Sequence, residues 1–450
     1  MIALFTMCLF QVACKKEDAF LAAVPNIQLA VPKSLNDLKL LLQNERIFNA
    51  IEPGYDIVAG ERFSTTDAFF SGFNKESQNA YSWAGRVWSA ISDVPEWRDP
   101  YQQIFYANTV LYYLPKVADG QSQNALYNQI KGTALFFRAK AYFSLMQLFT
   151  MPYKSSSAGS DLGVPLRLTS DINAKADRAT QQQCYDQILN DLQESSQLLP
   201  TSTPYNTQPT IIAAYGLLAR VNLSLGRFHE ALDAANSFLN KFNVLTDYNT
   251  LVPGFQISTS YLAEDVFHMD AFNFYIVMLG SRKVVDPALY ASYTDNDLRK
   301  SILYSVSGGR RYFSGTYEIN LGTLYKGIAT DELYLIRAEC YARAGNTTAA
   351  MTDLNTLLIK RWKTGTFLPY TAATADDALQ QILNERDKEL VCRGLRWYDL
   401  RRLNIDPKFA KTLTRTNLGV TYSLPANDLR YALLIPDQEI QLTGIQQNAR

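Results

Sequence analysis

Helical periodicity dominates this chain from about residue 35 onward, and it is the feature that most restricts the possible folds. Apolar residues recur at three- and four-residue intervals, as on the side of a helix that faces a core. The segments predicted to be long helices are 123–149, 180–198, 208–225, 227–241, 330–345, 347–361 and 376–395. Because most of them follow one another in pairs with short turns, the sequence predicts an all-α dominated protein built from stacked helix pairs.

Two of the helix pairs carry small residues at the same positions, which indicates an internal repeat. The matching residues are Ala219, Gly226 and Ala231 in one pair and Ala338, Gly345 and Ala350 in the other. Alanine on each helix lets the two backbones approach closely, and glycine in the turn adopts the left-handed conformation that ends the first helix. The pattern resembles the tetratricopeptide helix-turn-helix, which favours an α-α superhelix. A third copy starts at Arg138 but has Met146 in place of the turn glycine, so that helix is predicted to continue.

The helical pattern is interrupted at about residues 243–328, where apolar alternation is short and irregular. Tyrosine residues are interspersed there with glycine and asparagine. Since structureless loops longer than about 15 residues are uncommon, we expect an irregular lobe of loops and short strands. Irregular segments on a rigid frame commonly carry binding residues, so this lobe is a predicted ligand-binding region.

Composition and motifs exclude several classes of function. The 43 basic and 43 acidic residues balance, which argues against a protein that binds a nucleic-acid backbone. The two histidines, His229 and His268, lack metalloprotease spacing, and the sequence contains neither a nucleophile elbow nor a phosphate-binding glycine loop. We therefore expect no catalysis, no metal and no cofactor. A glycosidase needs only two suitably separated carboxylates, so an enzyme stays open as an alternative.

Three cysteines lie in the body of the chain, at Cys184, Cys340 and Cys392. They are odd in number, widely spaced and without a CxxC motif, which supports neither a disulfide framework nor a thiolate zinc site. We expect them to be small buried hydrophobic residues.

The first residues of the chain resemble an export signal. Residues 2–13 form an apolar run with the length of a secretory signal core, which is too short for the roughly 20 residues of a membrane span. The run ends in a small residue followed by Cys14, as in the bacterial lipobox, so residues 1–13 are predicted to be a signal peptide and Cys14 a lipidation site. Residues 14–34 then form a tether, whose charged start resembles the surface-export signal of Bacteroidetes lipoproteins. An ordinary buried N-terminal segment is the alternative.

The C-terminal third combines several short motifs in a fixed order. They are Ile382 to Arg386, Glu389, Leu390, Gly394, Arg396, Trp397, Asp399 to Arg402, and the closing segments 435–440 and 446–448. Farther back lie Trp97, Tyr101, Ile104, Ala107 and Asn108. Together with Cys14, these motifs resemble the SusD/RagB family of outer-membrane nutrient-binding lipoproteins. Arg393 and Thr443 depart from the family pattern, which puts local hydrogen bonding in doubt.

The resemblance implies a single SusD-like domain over residues 35–450 at the outer membrane, facing the cell exterior and attached through its lipid anchor only. It implies capture of a nutrient, with oligosaccharide as the expected ligand, and delivery to a SusC-like TonB-dependent transporter. A helical-repeat scaffold that binds a protein or peptide and has no transport role is the alternative, because tetratricopeptide-type grooves commonly hold peptides.

The charged residues of the C-terminal motifs fall at helical spacing. They are Glu385, Arg386, Glu389, Arg396, Asp399 and Arg402. Residues three and four apart on a helix are neighbours, so these side chains can form ion pairs along and between helices. The pattern favours a structural network over a catalytic one.

Aromatic residues outside the helical stripes are the candidate ligand contacts, because the apolar face of a sugar ring stacks on an aromatic ring. Tyr81, Trp83 and Trp88 lie in a polar stretch before the first core helix and are the first choice for an exposed platform. Tyr290 and Tyr293 in the irregular lobe are the second choice. For each of the five, packing alone is the alternative. Trp97 lies on an apolar stripe and is assigned to the core.

Overall fold

The computed structural model describes residues 31–90, 93–118, 124–252, 261–271, 275, 278, 282–315, 317–318 and 323–450. The predicted signal peptide, the lipidation site Cys14 and the tether up to residue 30 lie outside the described residues. Within the described ranges, no helix is both long enough and apolar enough to cross a membrane.

Helices form about half of the described structure and the strands are few and short, which confirms the predicted all-α dominated class. The N-terminal region contains the short helices α1 Leu35–Leu42, α2 Glu45–Phe48, α3 Tyr55–Gly60, α4 Asp67–Ser71 and α5 Lys75–Tyr81. The long helices before the lobe are α6 Pro95–Val117, α7 Ala125–Phe149, α8 Gln181–Leu198, α9 Ile211–Ser224 and α10 Phe228–Leu239. The lobe contains α11 Pro287–Ala291 and α12 Arg299–Ile302. The remaining helices are α13 Thr330–Arg343, α14 Thr347–Leu358, α15 Ala375–Glu389, α16 Leu395–Leu403 and α17 Asp437–Thr443.

The two predicted repeat turns have the backbone conformation that their glycines indicate. Gly226 and Gly345 adopt positive φ angles of 70° and 79°, at the ends of α9 and α13. Open space surrounds both positions, so backbone conformation rather than packing favours glycine there. The third copy behaves as predicted, because α7 runs through Met146 and ends at Phe149.

Helix α7 is the centre of the frame. Its residues from Ala134 to Phe149 are buried on every side, since α6 and α8 pack along it. The carbonyl groups at its end bind the C-terminal third: Arg401 donates to the oxygens of Met146 and Thr150 at 3.2 and 2.9 Å, and the Leu433 amide donates to Leu148. A helix end buried in this way needs such donors, because its last carbonyls have no partner within the helix.

The strands are short and antiparallel. Strands β1 Phe63–Ser64, β6 Val284–Val285, β8 Arg310–Phe313 and β7 Tyr304–Ser307 form a four-stranded sheet in that order. The two-stranded pairs are β2 Leu162–Pro165 with β3 Arg178–Thr180, β4 Asp265–Phe267 with β10 Ile328–Ala329, β5 Asp270–Ala271 with β9 Leu324–Tyr325, and β11 Leu413–Asn417 with β12 Val420–Leu424. Because Phe63 pairs with Val285, the lobe sheet includes a strand that precedes the first long helix.

The predicted helix over 376–395 is too long by about six residues, because α15 ends at Glu389. Cys392 and Gly394 follow with positive φ angles of 59° and 75°, which a right-handed helix does not allow. Gly394 also touches Asp56, whose carboxyl carbon would lie 2.8 Å from an added Cβ. Residues 390–394 therefore form a turn, and the close approach of α3 leaves no room for a side chain at Gly394.

The predicted ion-pair network is confirmed, although most partners lie on other elements. Glu385 and Glu389 both bind Arg299 of the lobe, at 2.6 and 2.9 Å, and Glu389 also binds Arg361 at 2.7 Å. Arg386 pairs with Asp399 on the next helix. A further group of contacts is formed by Arg396 with Asp387 and by Arg402 with Asp399 and Glu339. The network is buried and joins the lobe to α15 and α16, so it is structural. The three cysteines are buried and free, as predicted.

Candidate functional site

The predicted aromatic platform before the first core helix is not exposed. Tyr81, Trp83 and Trp88 have exposed fractions of 0%, 1% and 5%. The prediction that they form an exposed surface is therefore wrong. Their polar neighbours in sequence favour an exposed position, but Tyr81 ends α5 and the residues after it fold inward.

A single arginine from the C-terminal hairpin covers two of these rings. The guanidinium of Arg415 lies 4.3 Å from the ring centre of Tyr81 and 4.4 Å from that of Trp83. Arg415 also donates to the Tyr81 carbonyl at 2.7 Å, and the indole N–H of Trp83 donates to the Ala59 carbonyl at 3.0 Å. Burial lowers the pKa of Arg415 to about 10. These contacts satisfy the polar groups of a packed core.

The two tyrosines of the lobe, Tyr290 and Tyr293, differ in how far their side chains are exposed. Tyr293 is 1% exposed, and its hydroxyl contacts that of Tyr304 at 2.9 Å and donates to the Lys388 carbonyl at 2.8 Å. The prediction of an exposed position is therefore wrong for Tyr293. Tyr290 is half-buried, and the Arg311 guanidinium lies 4.5 Å from its ring centre.

A cleft of about 380 Å³ opens instead along the first core helix. Its floor consists of Trp97, Tyr101, Ile104 and Phe105 of α6, which lie on one side of that helix. The Trp97 ring packs edge-on against Phe149 with ring centres 4.9 Å apart, and the ring centre of Tyr101 lies at the same distance from that of Trp97. Trp97 is 6% exposed, so its predicted core position is confirmed, yet its remaining surface faces the cleft.

Asn108 of α6 holds one wall of the cleft in place. Its amide nitrogen donates to the carbonyls of Arg167 and Thr169 at 2.8 and 3.2 Å, while its amide oxygen accepts from Arg138 at 3.0 Å. Tyr142 donates a further hydrogen bond of 2.7 Å to the Arg167 carbonyl. The loop that follows β2 is therefore fixed by side chains from two core helices.

The opposite wall is the C-terminal helix α17 and Pro436 before it. Gln438, Glu439 and Leu442 line the cleft from this side. Polar groups from the other sides are supplied by Asp93, Arg98, Thr169 and Asp171.

Two apolar side chains stand at the mouth of the cleft. Ile172 and Leu442 are 72% and 84% exposed. The site thus combines an aromatic floor, several polar groups and an apolar rim, and its volume lies within the range of about 300–1,000 Å³ that is typical of ligand pockets.

A second polar site lies in the lobe around His268. Its Nδ1 atom is 2.6 Å from Asp265 Oδ2, and its Nε2 atom is 3.1 Å from Asp270 Oδ1 and 3.2 Å from Glu318 Oε2. Burial lowers the pKa of His268, but hydrogen bonds to the three carboxyl groups outweigh it and raise the pKa to about 12. Burial raises the pKa of Glu318 to about 8.

The pattern of residues along α6 does not predict the cleft. Tyr101 and Phe105 follow the helical stripe, so their pattern indicated core packing, and the cleft depends on walls that are distant in sequence. The signal that was available is Asn108, a buried polar residue on an otherwise apolar helix face, since such residues usually hold a neighbouring segment.

Comparison with known families covers both ends of the chain. A family model described as starch-binding and associating with the outer membrane matches residues 21–223, and the SusD family model matches residues 330–448. The chain belongs to the SusD family. Among curated protein sequences, none matches it.

Solved SusD structures share the fold over nearly the whole chain. A SusD superfamily protein from Bacteroides thetaiotaomicron VPI-5482 is 23% identical, with a TM-score of 0.75 and coverage of 93% of this chain and 100% of that one. A protein described as a putative sugar-binding protein, from Bacteroides vulgatus ATCC 8482, is 22% identical with a TM-score of 0.73, covering 93% and 99%. A protein described as a laminarin-binding SusD-like protein is 19% identical with a TM-score of 0.65, covering 93% and 99%. At these identities the likeness concerns the fold.

Proposed function

We propose that this SusD-family chain is a cell-surface binding protein for oligosaccharides, without catalytic activity, which delivers its ligand to a SusC-like TonB-dependent transporter. The observation that carries the proposal is the family match over residues 21–223, because that family is described as starch-binding and associated with the outer membrane. The laminarin-binding relative supports a glucan as the ligand class.

The cleft along α6 is the proposed glycan site. Sugar recognition requires an aromatic surface for the apolar face of the ring and polar groups at its edge for the hydroxyls. Tyr101 and Phe105 are half-buried and supply the aromatic surface. Thr169, Asp171 and Glu439 line the same cleft and supply hydrogen-bonding groups.

The test is calorimetric titration with laminarin oligosaccharides and maltooligosaccharides. Phe105→Ala removes one aromatic face and is expected to weaken binding roughly 2- to 10-fold, the effect of losing about 0.5–1.5 kcal/mol of ring contact. Tyr112→Ala is the matched control, because Tyr112 lies on the same helix, is 51% exposed and does not line the cleft. Equal affinities for the two variants would place the glycan site elsewhere.

The lobe is a second proposed contact region. Of the five aromatic residues predicted from sequence, Tyr290 is the one that keeps a partly exposed side chain. Tyr290→Ala is expected to weaken glycan binding without a change in fold, because its ring lies at the lobe surface beside Arg311. The same titration checks this expectation.

The attachment proposed for the chain is a lipid at Cys14, with residues 14–34 as the tether. A single acyl chain binds membranes only marginally, whereas several anchor a protein stably. Cys14→Ala is expected to release the protein from the outer-membrane fraction. Co-purification of a TonB-dependent transporter from detergent extracts tests the partner, and repeated isolation of the chain alone would remove that part of the proposal.

A peptide-binding scaffold is the second candidate function, and the rim of the cleft is the observation that favours it. Exposed Ile172 and Leu442 offer apolar contacts that a sugar does not need. Ile172→Asp distinguishes the candidates, because it is expected to abolish binding of an apolar peptide and to leave glycan affinity within about twofold, the usual small effect of a surface change.

A further inference from the structure

The buried cluster in the lobe holds three side chains with metal-binding atoms. We propose that His268, Asp270 and Glu318 bind one divalent transition-metal ion, for which Zn²⁺ is the best match. The three donor atoms lie within 4.8 Å of one another, and the residues are 4%, 8% and 0% exposed. This proposal is independent of the glycan site and of the transporter.

The distances fit the edges of a tetrahedral site. Zinc binds imidazole nitrogen and carboxylate oxygen at about 2.0–2.2 Å, so two donors in a tetrahedral arrangement are about 3.3 Å apart. In this chain the Nε2 atom of His268 is 3.1 Å from the Asp270 oxygen and 3.2 Å from the Glu318 oxygen. Small side-chain movements bring all three donors to bonding distance of one ion.

The Nδ1 side of the His268 ring is already held in the orientation that a metal-binding histidine needs. Metal-binding histidines almost always donate their second ring N–H to a carboxylate or carbonyl, which fixes the ring and its tautomer. Here Nδ1 of His268 contacts Asp265 at 2.6 Å, and the other oxygen of Asp265 accepts from the Tyr325 hydroxyl at 2.7 Å. When an ion displaces the proton from Nε2, the proton on Nδ1 stays with Asp265 and the lone pair of Nε2 faces Asp270 and Glu318.

The charge of the cluster also favours a cation. Three carboxyl groups, those of Asp265, Asp270 and Glu318, contact one imidazole in a buried region. Buried like charges this close repel one another unless a proton or a metal ion lies between them, and in the metal-free chain the protons held by His268 and Glu318 relieve this repulsion. A divalent ion balances the two carboxylates that face Nε2.

The donor set indicates which ion is bound. Calcium and magnesium prefer sites built only from oxygen atoms, whereas a nitrogen with two carboxylate oxygens suits zinc and its first-row neighbours. Three protein donors leave the fourth position for a water molecule or another oxygen donor. Such an ion links His268 and Asp270, which follow β4, to Glu318, which lies 48 or more positions farther along the chain.

The test uses Zn²⁺ itself, titrated into the full chain after treatment with EDTA. One ion per chain is expected. His268→Gln and Glu318→Gln are expected to abolish binding, and Asp265→Asn is expected to weaken it about 10- to 100-fold as an orienting residue. His229→Gln is the matched control, because His229 is the other histidine of the chain and its side chain is 84% exposed.

Two further measurements keep the test decisive if a variant fails to fold. X-ray absorption of the unaltered, zinc-loaded chain is expected to show nitrogen or oxygen neighbours at about 2.0–2.2 Å, together with the outer-shell scattering of one imidazole ring. Zinc is also expected to raise the melting temperature of the unaltered chain, since an ion that binds the folded state stabilises it. The proposal is overturned if the chain takes up no zinc, if the absorption spectrum shows no imidazole scattering, or if His229→Gln abolishes binding and His268→Gln does not.

Discussion

Glu61 offers a direct test of how burial controls stability in this fold. It follows α3, is 4% exposed, and its Oε1 atom has no hydrogen-bond partner among the described residues. Burial raises its pKa from 4.5 to about 7, although the backbone N–H groups of Cys392 and Gly394 counteract the shift. Replacement of Glu61 by Gln keeps the shape and removes the ionisable group.

The sign of the effect follows from the direction of the shift. A carboxyl group whose pKa is higher in the folded than in the unfolded state reduces the free energy of unfolding when it is ionised. This penalty is absent below about pH 4.5, where the group is protonated in both states. The penalty grows as pH rises from about 4.5 to 7 and is then constant. Raising the pKa of Glu61 from 4.5 to about 7 lowers the free energy of unfolding at pH 8 by about 3 kcal/mol, because each pH unit of difference is worth about 1.36 kcal/mol.

The assay is urea denaturation of both proteins at pH 5, 6, 7 and 8. The stability difference between Glu61→Gln and the unaltered chain is expected to rise by about 2.5 kcal/mol from pH 5 to pH 8, in favour of the Gln variant, because part of the penalty is already present at pH 5. Glu230→Gln is the control, because Glu230 is exposed on α10 and its replacement is expected to show no such trend. A pH-independent difference for Glu61→Gln would refute the assignment of a raised pKa to burial.

Two further pairs of variants test the packing. Trp83→Ala is expected to lower the free energy of unfolding by about 3–5 kcal/mol, because it empties a large buried side chain, whereas Tyr112→Ala is expected to change it by less than about 1 kcal/mol; urea denaturation measures both. Gly394→Ala is expected to destabilise the chain by more than about 2 kcal/mol, since an added Cβ meets Asp56 at 2.8 Å in a left-handed turn. Gly345 has the same left-handed conformation but open space around it, so Gly345→Ala is expected to cost only about 1–2 kcal/mol. Equal melting temperatures for the two glycine variants would contradict the steric role given to Asp56.

The helical frame could be predicted from sequence because its determinants are local. The pattern of apolar residues along α9 and α13 sets which side of each helix is buried, and Gly226 and Gly345 end the helices by their own backbone preference. The predicted end of α15 is wrong because helical spacing of the residues continues beyond Glu389, whereas the backbone adopts positive φ angles at Cys392 and Gly394.

The candidate sites could not be predicted in the same way, because distant segments decide which side chains are exposed. Trp83 lies in a polar stretch, yet Arg415 covers it from the other end of the chain. Tyr101 follows an apolar stripe, yet the loop after β2 and helix α17 leave its side open to a cleft. His268 and Glu318 meet only because the lobe folds back on itself.

The binding of the α7 carbonyls by Arg401 has a consequence for the order in which the protein can fold. During synthesis α7 is complete long before Arg401 and Leu433 emerge, so its C-terminal end lacks these partners for most of translation. Helix α3 also lacks a packing partner until late in translation, because Gly60 packs directly against the backbone of Trp397. Contacts between the two ends of a chain raise contact order and slow folding. The nascent chain is therefore expected to remain loosely packed until the C-terminal residues have emerged and these contacts can form.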